Sequence, residues 1–117
     1  MTEFCVVLST AASAEEGIGL GRKLVEERLA ACVNVLPGAR SVYVWQGEMQ
    51  ESDEAVLLIK TRSDRYADLA RRIQELHSYA VPEIVAVPIE AGSRKYLEWV
   101  AESVAEAATE RGGERSP

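Results

Sequence analysis

Two hydrophobic runs separated by a polar stretch occupy the middle of this 117-residue chain. Residues 41–46 and 55–61 are rich in β-branched and aromatic side chains, which favour β-strands. Residues 47–54 begin with Gly47 and contain four acids, a composition that predicts a solvent-exposed turn. The pattern therefore predicts a long β-hairpin with a polar tip. Cation binding by the acids is the second interpretation of that tip.

Three further apolar runs are predicted to be strands or parts of strands. Residues 4–10 are almost continuously apolar, as expected of a central strand covered on both faces. Residues 30–36 are followed by Pro37 and Gly38, which predict a bulge or bend before the hairpin strand resumes. Residues 83–89 supply the fourth strand.

Helical periodicity fills the segments between the strands. Ser13 and Glu16 have the spacing of a capping box, and Ser63 or Asp64 and then Ser93 are expected to cap the second and third helices. The first helix is expected to bury the stripe Ile18, Val25, Leu29 and Cys32, with Leu24 beside it. The second is expected to bury Tyr66, Leu69, Ala70, Ile73 and Leu76, and the third Leu97, Val100 and Val104.

Three glycines at alternate positions, Gly17, Gly19 and Gly21, raise the question of a phosphate-binding loop. They lie within the helical stripe and not in the preceding turn, and the position where a dinucleotide fingerprint requires another glycine is Arg22. Glycine also costs a helix about 0.5–1 kcal/mol relative to alanine. Close packing of a bare helix face on the sheet is therefore the preferred explanation.

The order β-α-β-β-α-β with an added C-terminal helix predicts an α+β, ferredoxin-like sandwich with a long central hairpin. Residues 1–108 are expected to form this single domain, and residues 109–117 a disordered tail. Both crossover helices must pack on the same face of such a sheet. The hairpin therefore needs a partner for its apolar side chains, and self-association is the simplest one.

Composition limits the classes of partner. The chain has 13 basic and 19 acidic residues and a formal net charge of −6, which argues against binding nucleic acid or an anionic membrane through charge. The first apolar run is too short for a signal peptide or a membrane span. We therefore expect a cytoplasmic protein, in which Cys5 and Cys32 are reduced, unpaired and buried, with thiolate binding of a soft metal as the alternative.

The sequence does not contain the residues of a hydrolytic site, since His77 is the only histidine and no cysteine cluster or nucleophile motif accompanies it. We expect no enzymatic activity. His77 is interpreted either as a helix C-terminal residue or, with cysteine or carboxylate partners, as a metal ligand. Lys60 and Glu83 are expected to meet at the sheet ends as a salt bridge, or to join Cys32, Trp45 and Tyr79 in a polar cleft between subunits.

Four ordered motifs resemble the CutA divalent-cation tolerance proteins over about residues 4–104. They are Glu27-Arg28-Leu29-Ala30-Ala31-Cys32-Val33-Asn34, Tyr43-Val44-Trp45-Gln46-Gly47, Leu58-Ile59-Lys60-Thr61 and Leu76-His77-Ser78-Tyr79-Ala80-Val81-Pro82-Glu83-Ile84. The resemblance implies a small cytoplasmic homotrimer of ferredoxin-like subunits, similar in assembly to PII signalling proteins. It also implies binding of copper and other divalent metals, a link to metal tolerance, and no firmly attached enzymatic activity.

The chain departs from the family pattern at two positions. Members studied for metal binding carry a cysteine where this chain has Ser9, and two adjacent histidines where it has Leu76 and His77. The resemblance therefore implies a metal ligand at His77 with fewer metal-ligating side chains beside it. The alternative function is a PII-like signalling or scaffold trimer that takes a small molecule or a protein partner at the intersubunit cleft.

Overall fold

The computed structural model describes residues 2–106. Within that range the strands are β1 (Phe4–Ala11), β2 (Cys32–Trp45), β3 (Glu48–Arg62) and β4 (Val85–Pro88). The helices are α1 (Ala14–Glu26), α2 (Tyr66–Leu76) and α3 (Arg94–Val104), with a 3₁₀ turn at Ser63–Arg65 before α2. The predicted tail, residues 109–117, lies outside the described residues.

The strands form one antiparallel sheet in the order β2-β3-β1-β4, which is the predicted ferredoxin-like arrangement. β1 is central, as its apolar composition indicated. Only one face of the sheet is fully covered, because the residues of β1 alternate between half-buried and buried. β4 is shorter than predicted, since Glu83 and Ile84 precede it.

The hydrophobic core lies between one sheet face and the helices α1 and α2. Strand residues such as Val7 and Ile59 pack there with Leu24 of α1 and with Leu69 of α2, all of them buried. α3 closes one end of the molecule by packing Val100 and Val104 against Ala31 and Phe4. The opposite sheet face keeps Leu36, Val85 and Val87 exposed. The sequence therefore supplies more apolar sheet surface than its own helices cover.

The predicted stripe of α1 is wrong. Ile18 and Val25 are exposed, and α1 ends at Glu26, before Leu29 and Cys32. The buried face consists of Gly17, Leu20, Gly21 and Leu24. A stripe defined by large side chains alone missed this face because half of its members are glycines.

Two of the three glycines of α1, Gly17 and Gly21, are used for packing, as predicted, whereas Gly19 is exposed. A Cβ at Gly17 would lie 3.1 Å from Val35 Cγ1 and 3.2 Å from Leu57 Cδ1, and one at Gly21 would lie 3.2 Å from two atoms of Val33. A Cβ at Gly19 would meet nothing within 4 Å. The two buried glycines therefore let the helix backbone approach the sheet.

The predicted tip of the hairpin, residues 47–54, is also wrong. The turn consists of Gln46 and Gly47 alone, both with positive φ (54° and 82°), and Trp45 already pairs with Glu48. Two residues with positive φ match the twist of the flanking strands, which is why such short turns are favoured. The acids therefore lie along β3, where Arg40 of β2 binds Glu51 and Asp53 at 3.2 and 2.9 Å.

Two smaller predictions have opposite outcomes. The bulge at Pro37 and Gly38 is confirmed, because the register of β2 on β3 shifts between Leu36 and Ala39 and Gly38 has a φ of 86°. The cap of α2 is wrong: Ser63 and Asp64 belong to the 3₁₀ turn, and no side chain caps α2. The turn continues directly into the helix, so α2 begins on a residue that is already helical.

The cysteines are unpaired, as expected. Cys5 is fully buried on the core face of β1, and burial raises the pKa of its thiol. Cys32, at the start of β2, is only partly buried. The prediction that both thiols are buried therefore holds fully for Cys5 alone.

Candidate functional site

His77 lies where α2 ends and the connection to β4 begins. Its backbone N–H closes the helix on the carbonyl of Ile73 at 2.9 Å, and its own φ and ψ (−75° and 145°) turn the chain into an extended segment. This segment crosses the end of β1 before it reaches β4. The end of α2 therefore places the single histidine beside Thr10, near the end of the central strand β1.

The His77 side chain is fully buried, and both ring nitrogens bond to the backbone. Nε2 lies 2.6 Å from the carbonyl oxygen of Thr10, and Nδ1 accepts the N–H of Tyr79 at 2.9 Å. A carbonyl oxygen can only accept, so the proton of the ring lies on Nε2. His77 thereby joins the connection after α2 to the last residues of β1.

Glu16 fastens the same connection to α1. Its Oε1 accepts the N–H of Ala12 at 3.1 Å, and its Oε2 accepts the N–H of Ser78 at 3.0 Å and lies 3.7 Å from His77 Nδ1. Burial alone would raise the pKa of Glu16, but these hydrogen bonds and the nearby His77 outweigh it and lower the pKa. The stabilisation by Glu16 is therefore present above the ordinary carboxyl pKa and decreases as pH falls through the lowered value.

Tyr79 extends from this connection to the base of the hairpin. Its hydroxyl donates to Glu54 Oε2 at 2.6 Å, and Ser41 donates to the other oxygen of Glu54 at 2.5 Å. Burial, followed by the hydrogen bond and charge of Glu54, raises the pKa of Tyr79, so the phenol stays protonated as a donor. The Tyr79 ring also contacts the ring of His77, with centroids 4.6 Å apart.

These contacts border an open cleft of about 620 Å³ between the hairpin and the Tyr79 connection. Tyr43 and Trp45 of β2 and Tyr79 contribute aromatic surface to it. Its charged lining residues are the acids Glu54 and Glu83. The cleft is therefore apolar and aromatic on its walls and negative in charge.

The structure places the sequence-predicted site residues in two groups. Trp45, Tyr79 and Glu83 line the cleft together. Cys32 and Lys60 are opposite each other near the other end of the β2-β3 pair, where Cys32 Sγ and Lys60 Nζ both donate to Asn34. The five residues therefore do not lie together within one chain. That they come together between subunits stays a prediction.

The predicted salt bridge between Lys60 and Glu83 is wrong for the part of the chain that the structure describes. Lys60 bonds to Asn34, and Glu83 forms no ion pair among those residues. The register on β1 separates them, because Lys60 of β3 pairs with Val6, whereas Glu83 precedes β4, whose first residue Val85 pairs with Leu8. Sequence reasoning also missed Glu54, because that acid lies in the predicted turn.

The donors of one chain do not form a complete metal site. Among residues 2–106, no group of three or more His, Cys, Asp or Glu side chains is close enough to hold a metal ion. His77 has Glu16 beside it, but a metal at either ring nitrogen would have to replace a backbone hydrogen bond. A metal site at His77 would thus need local movement and further ligands.

The architecture defines a ferredoxin-like α+β protein with a long hairpin and an acidic, aromatic cleft beside it. Residues 5–103 match the family described as CutA1 divalent ion tolerance protein. The chain is 51% identical over 98 residues to the divalent-cation tolerance protein CutA of Thermus thermophilus, covering 84% of this chain and 95% of that protein. The chain belongs to the CutA family.

Solved structures agree with this assignment. The crystal structure of CutA1 from Oryza sativa superimposes with a TM-score of 0.87 at 42% identity, covering 91% of this chain and 97% of that one. A CutA structure from Archaeoglobus fulgidus gives 0.85 at 36% identity, covering 87% and 99%. That protein is described as periplasmic. Among the described residues of the present chain, no helix is long and apolar enough to cross a membrane.

Proposed function

We propose that this chain is the subunit of a cytoplasmic homotrimer that acts in tolerance to divalent metal ions, copper among them, and has no enzymatic activity. Membership of a family named for divalent ion tolerance supports the metal-related role. The names of these relatives do not favour the PII-like alternative. The proposed partners are further copies of the chain and divalent metal ions, since a net charge of −6 attracts cations.

The uncovered apolar surface of the hairpin is the observation that carries the proposed assembly. Val44 is 64% exposed, Trp45 50% and Met49 71%, at the end of a hairpin that the helices do not reach. β2 and β4 are also edge strands, and unpaired edges invite pairing with another chain. Association between copies would remove both kinds of surface from water at once.

The assembly is tested by light scattering coupled to gel filtration. We expect a mass three times the 12.8 kDa of the chain. Val44→Glu places a charge in the proposed interface and should lower the mass to that of a monomer. Arg71→Glu on the exposed side of α2 also adds negative charge but should leave the mass unchanged. A wild-type monomer at micromolar concentration would refute the proposal.

The proposed metal contact is His77, with ligands from a neighbouring subunit completing the shell. Imidazole suits copper and zinc, and Glu16 stands 3.7 Å from the ring. Because the buried ring must leave a backbone hydrogen bond to bind metal, and because Ser9 and Leu76 replace donor types that the family pattern implies, we expect modest affinity.

The metal contact is tested by Cu²⁺ titration of wild type and His77→Ala at pH 7.5 and pH 5.5. Wild-type affinity should decrease at pH 5.5, because protons compete with metal for imidazole. His77→Ala should bind at least about tenfold more weakly at pH 7.5, the scale on which loss of even supporting groups acts at metal sites. Circular dichroism verifies folding of the variant. Equal affinity of the two proteins would exclude His77 and direct attention to Glu51 and Asp53.

A further inference from the structure

The outer hairpin, residues 39–54 beyond the bulge of β2, extends past the strands that form the rest of the sheet. Among the described residues, β1 pairs with β3 only from Ala55 to Arg62, so residues 48–54 have no strand neighbour other than β2. We propose that Tyr79 positions the outer hairpin for association between copies, through the hydrogen bond of its hydroxyl to Glu54. The consequence for association rests on the proposed homotrimer, whereas the hydrogen bond and its effect on the hairpin do not.

The strands of the outer hairpin do not by themselves fix its direction. A two-stranded hairpin alone is marginally stable at best in water. Val42 and Val44 are exposed within one chain, so the helices do not hold the outer hairpin by packing on them. The bulge between Leu36 and Ala39 interrupts the ladder where the outer hairpin begins, and bulges bend a strand. A contact from outside the hairpin is therefore needed to fix its angle to the sheet.

One side-chain hydrogen bond supplies that contact. The Tyr79 hydroxyl donates to Glu54 Oε2 at 2.6 Å. Within residues 2–106, it is the only side-chain hydrogen bond or ion pair between the outer hairpin and the other residues. Ser41 of β2 donates to the other oxygen of Glu54 at 2.5 Å, so both strands of the hairpin are linked to Tyr79. Hydrogen bonds to a carboxylate are shorter and stronger than those between neutral groups.

Tyr79 can hold the hairpin because its own position is fixed. Its ring contacts the ring of His77, with centroids 4.6 Å apart, and its N–H donates to His77 Nδ1 at 2.9 Å. Glu16 of α1 binds the preceding N–H. The carbonyl of Ala80, the next residue, accepts a hydrogen bond from Gln74 of α2 at 3.0 Å. The hydroxyl of Tyr79 therefore connects the outer hairpin to a segment that both α1 and α2 hold in place.

The outer hairpin contains part of the surface proposed for association, including Val44 and Met49. A hairpin that is already ordered in the free chain has less conformational freedom to lose when copies associate, and this raises the affinity. Without the Tyr79 hydroxyl, the outer hairpin of the free chain adopts more orientations. Association then becomes weaker although no residue of the exposed apolar surface has changed.

The effect on the hairpin is tested by hydrogen exchange of the full chain, measured by mass spectrometry. In Tyr79→Phe the amides of the outer hairpin should exchange at least about tenfold faster, the scale for loss of a hydrogen bond to a charged group, whereas those of β1 and α2 should not change. The control Tyr66→Phe removes a hydroxyl that bonds to the Ile84 carbonyl and not to the hairpin, and should have no effect there. Unchanged hairpin exchange in Tyr79→Phe, or an equal increase throughout the chain, would overturn the proposal.

Variants of Glu54 show whether Tyr79 acts through this carboxylate. Glu54→Gln should exchange like the wild type, because the amide oxygen can accept from Tyr79 while the amide N–H donates to Ser41. Glu54→Ala should accelerate hairpin exchange at least as much as Tyr79→Phe does. The double variant should exchange no faster than Glu54→Ala alone, since the same hydrogen bond is lost. Additive effects of the two substitutions would contradict the proposed role of the bond.

The effect on association is tested by light scattering over a dilution series, in the urea concentration at which the wild type is half dissociated. Tyr79→Phe should dissociate at several-fold higher protein concentration than the wild type and Tyr66→Phe. Faster hairpin exchange with unchanged dissociation would refute the positioning role of Tyr79 in association. A wild-type monomer in the absence of urea would refute the proposed homotrimer instead, and hydrogen exchange would still decide whether Tyr79 holds the hairpin.

Discussion

Gly17→Leu is expected to lower the free energy of unfolding by about 1–3 kcal/mol or more, although leucine favours helices more than glycine does. The first added atom would already lie 3.1 Å from Val35 and 3.2 Å from Leu57, two residues of neighbouring strands. The rest of the side chain has no space unless α1 moves off the sheet. Interiors are packed so closely that such movement exposes core residues such as Leu24.

Gly19→Leu provides the matched control on the same helix. Nothing lies within 4 Å of a Cβ at Gly19, so this substitution adds helix propensity without a clash and should stabilise by roughly 0.5–1 kcal/mol. Urea unfolding of both variants at equal protein concentration measures the difference. If the two substitutions shift stability in the same direction, α1 does not pack on the sheet through Gly17.

The fold could be predicted because apolar runs mark its strands and helical spacing of apolar residues marks its two later helices. Residues 4–10 and 55–61 are continuous apolar runs that became β1 and the inner part of β3. Leu69 and Ile73 keep helical spacing and are buried in α2 as expected. The prediction of the buried face of α1 was wrong because this face contains Gly17 and Gly21, which a search for large apolar residues does not count.

The hairpin shows where composition misleads. Acids and glycine are typical of turns, so the composition of residues 47–54 predicts a turn at the hairpin tip. In the folded chain those acids find partners across the strand pair, such as Arg40 and Ser41, and the pairing continues to Trp45 and Glu48. Exposed strands tolerate charge when the cross-strand neighbour is complementary. The sequence offered one usable signal for the short turn, the pair Gln46-Gly47.

The residues of the candidate site could be predicted only in part. Three of the five residues expected in a cleft between subunits, Trp45, Tyr79 and Glu83, line a cleft of the single chain, and the cleft between subunits stays a prediction. Cys32 and Lys60 belong to the other end of β2 and β3, and this follows from strand register, which the sequence alone does not give. The hydrogen bonds of the His77 ring to Thr10 and Tyr79 depend on the tertiary structure, which no local sequence pattern indicates.

Because the buried His77 ring holds two backbone groups through hydrogen bonds, His77→Ala should lower the free energy of unfolding by about 2–4 kcal/mol. The substitution leaves the Thr10 carbonyl and the Tyr79 N–H without their partner, and each unsatisfied buried group costs about 1–3 kcal/mol. It also removes a ring with no exposed surface, which leaves a cavity beside the Tyr79 ring.

Two conservative variants separate the hydrogen bonds of His77. Glutamine can reach Thr10 with an amide donor in place of Nε2, and asparagine can offer Tyr79 an acceptor in place of Nδ1. Each should retain about half of the stability that alanine loses, while Arg71→Ala on the exposed face of α2 should change it by less than about 0.5 kcal/mol. Thermal and urea unfolding in EDTA measure these differences without any contribution from bound metal. A loss below about 0.5 kcal/mol for His77→Ala would show that the connection after α2 is held without the imidazole, and would leave the ring free to serve as a ligand.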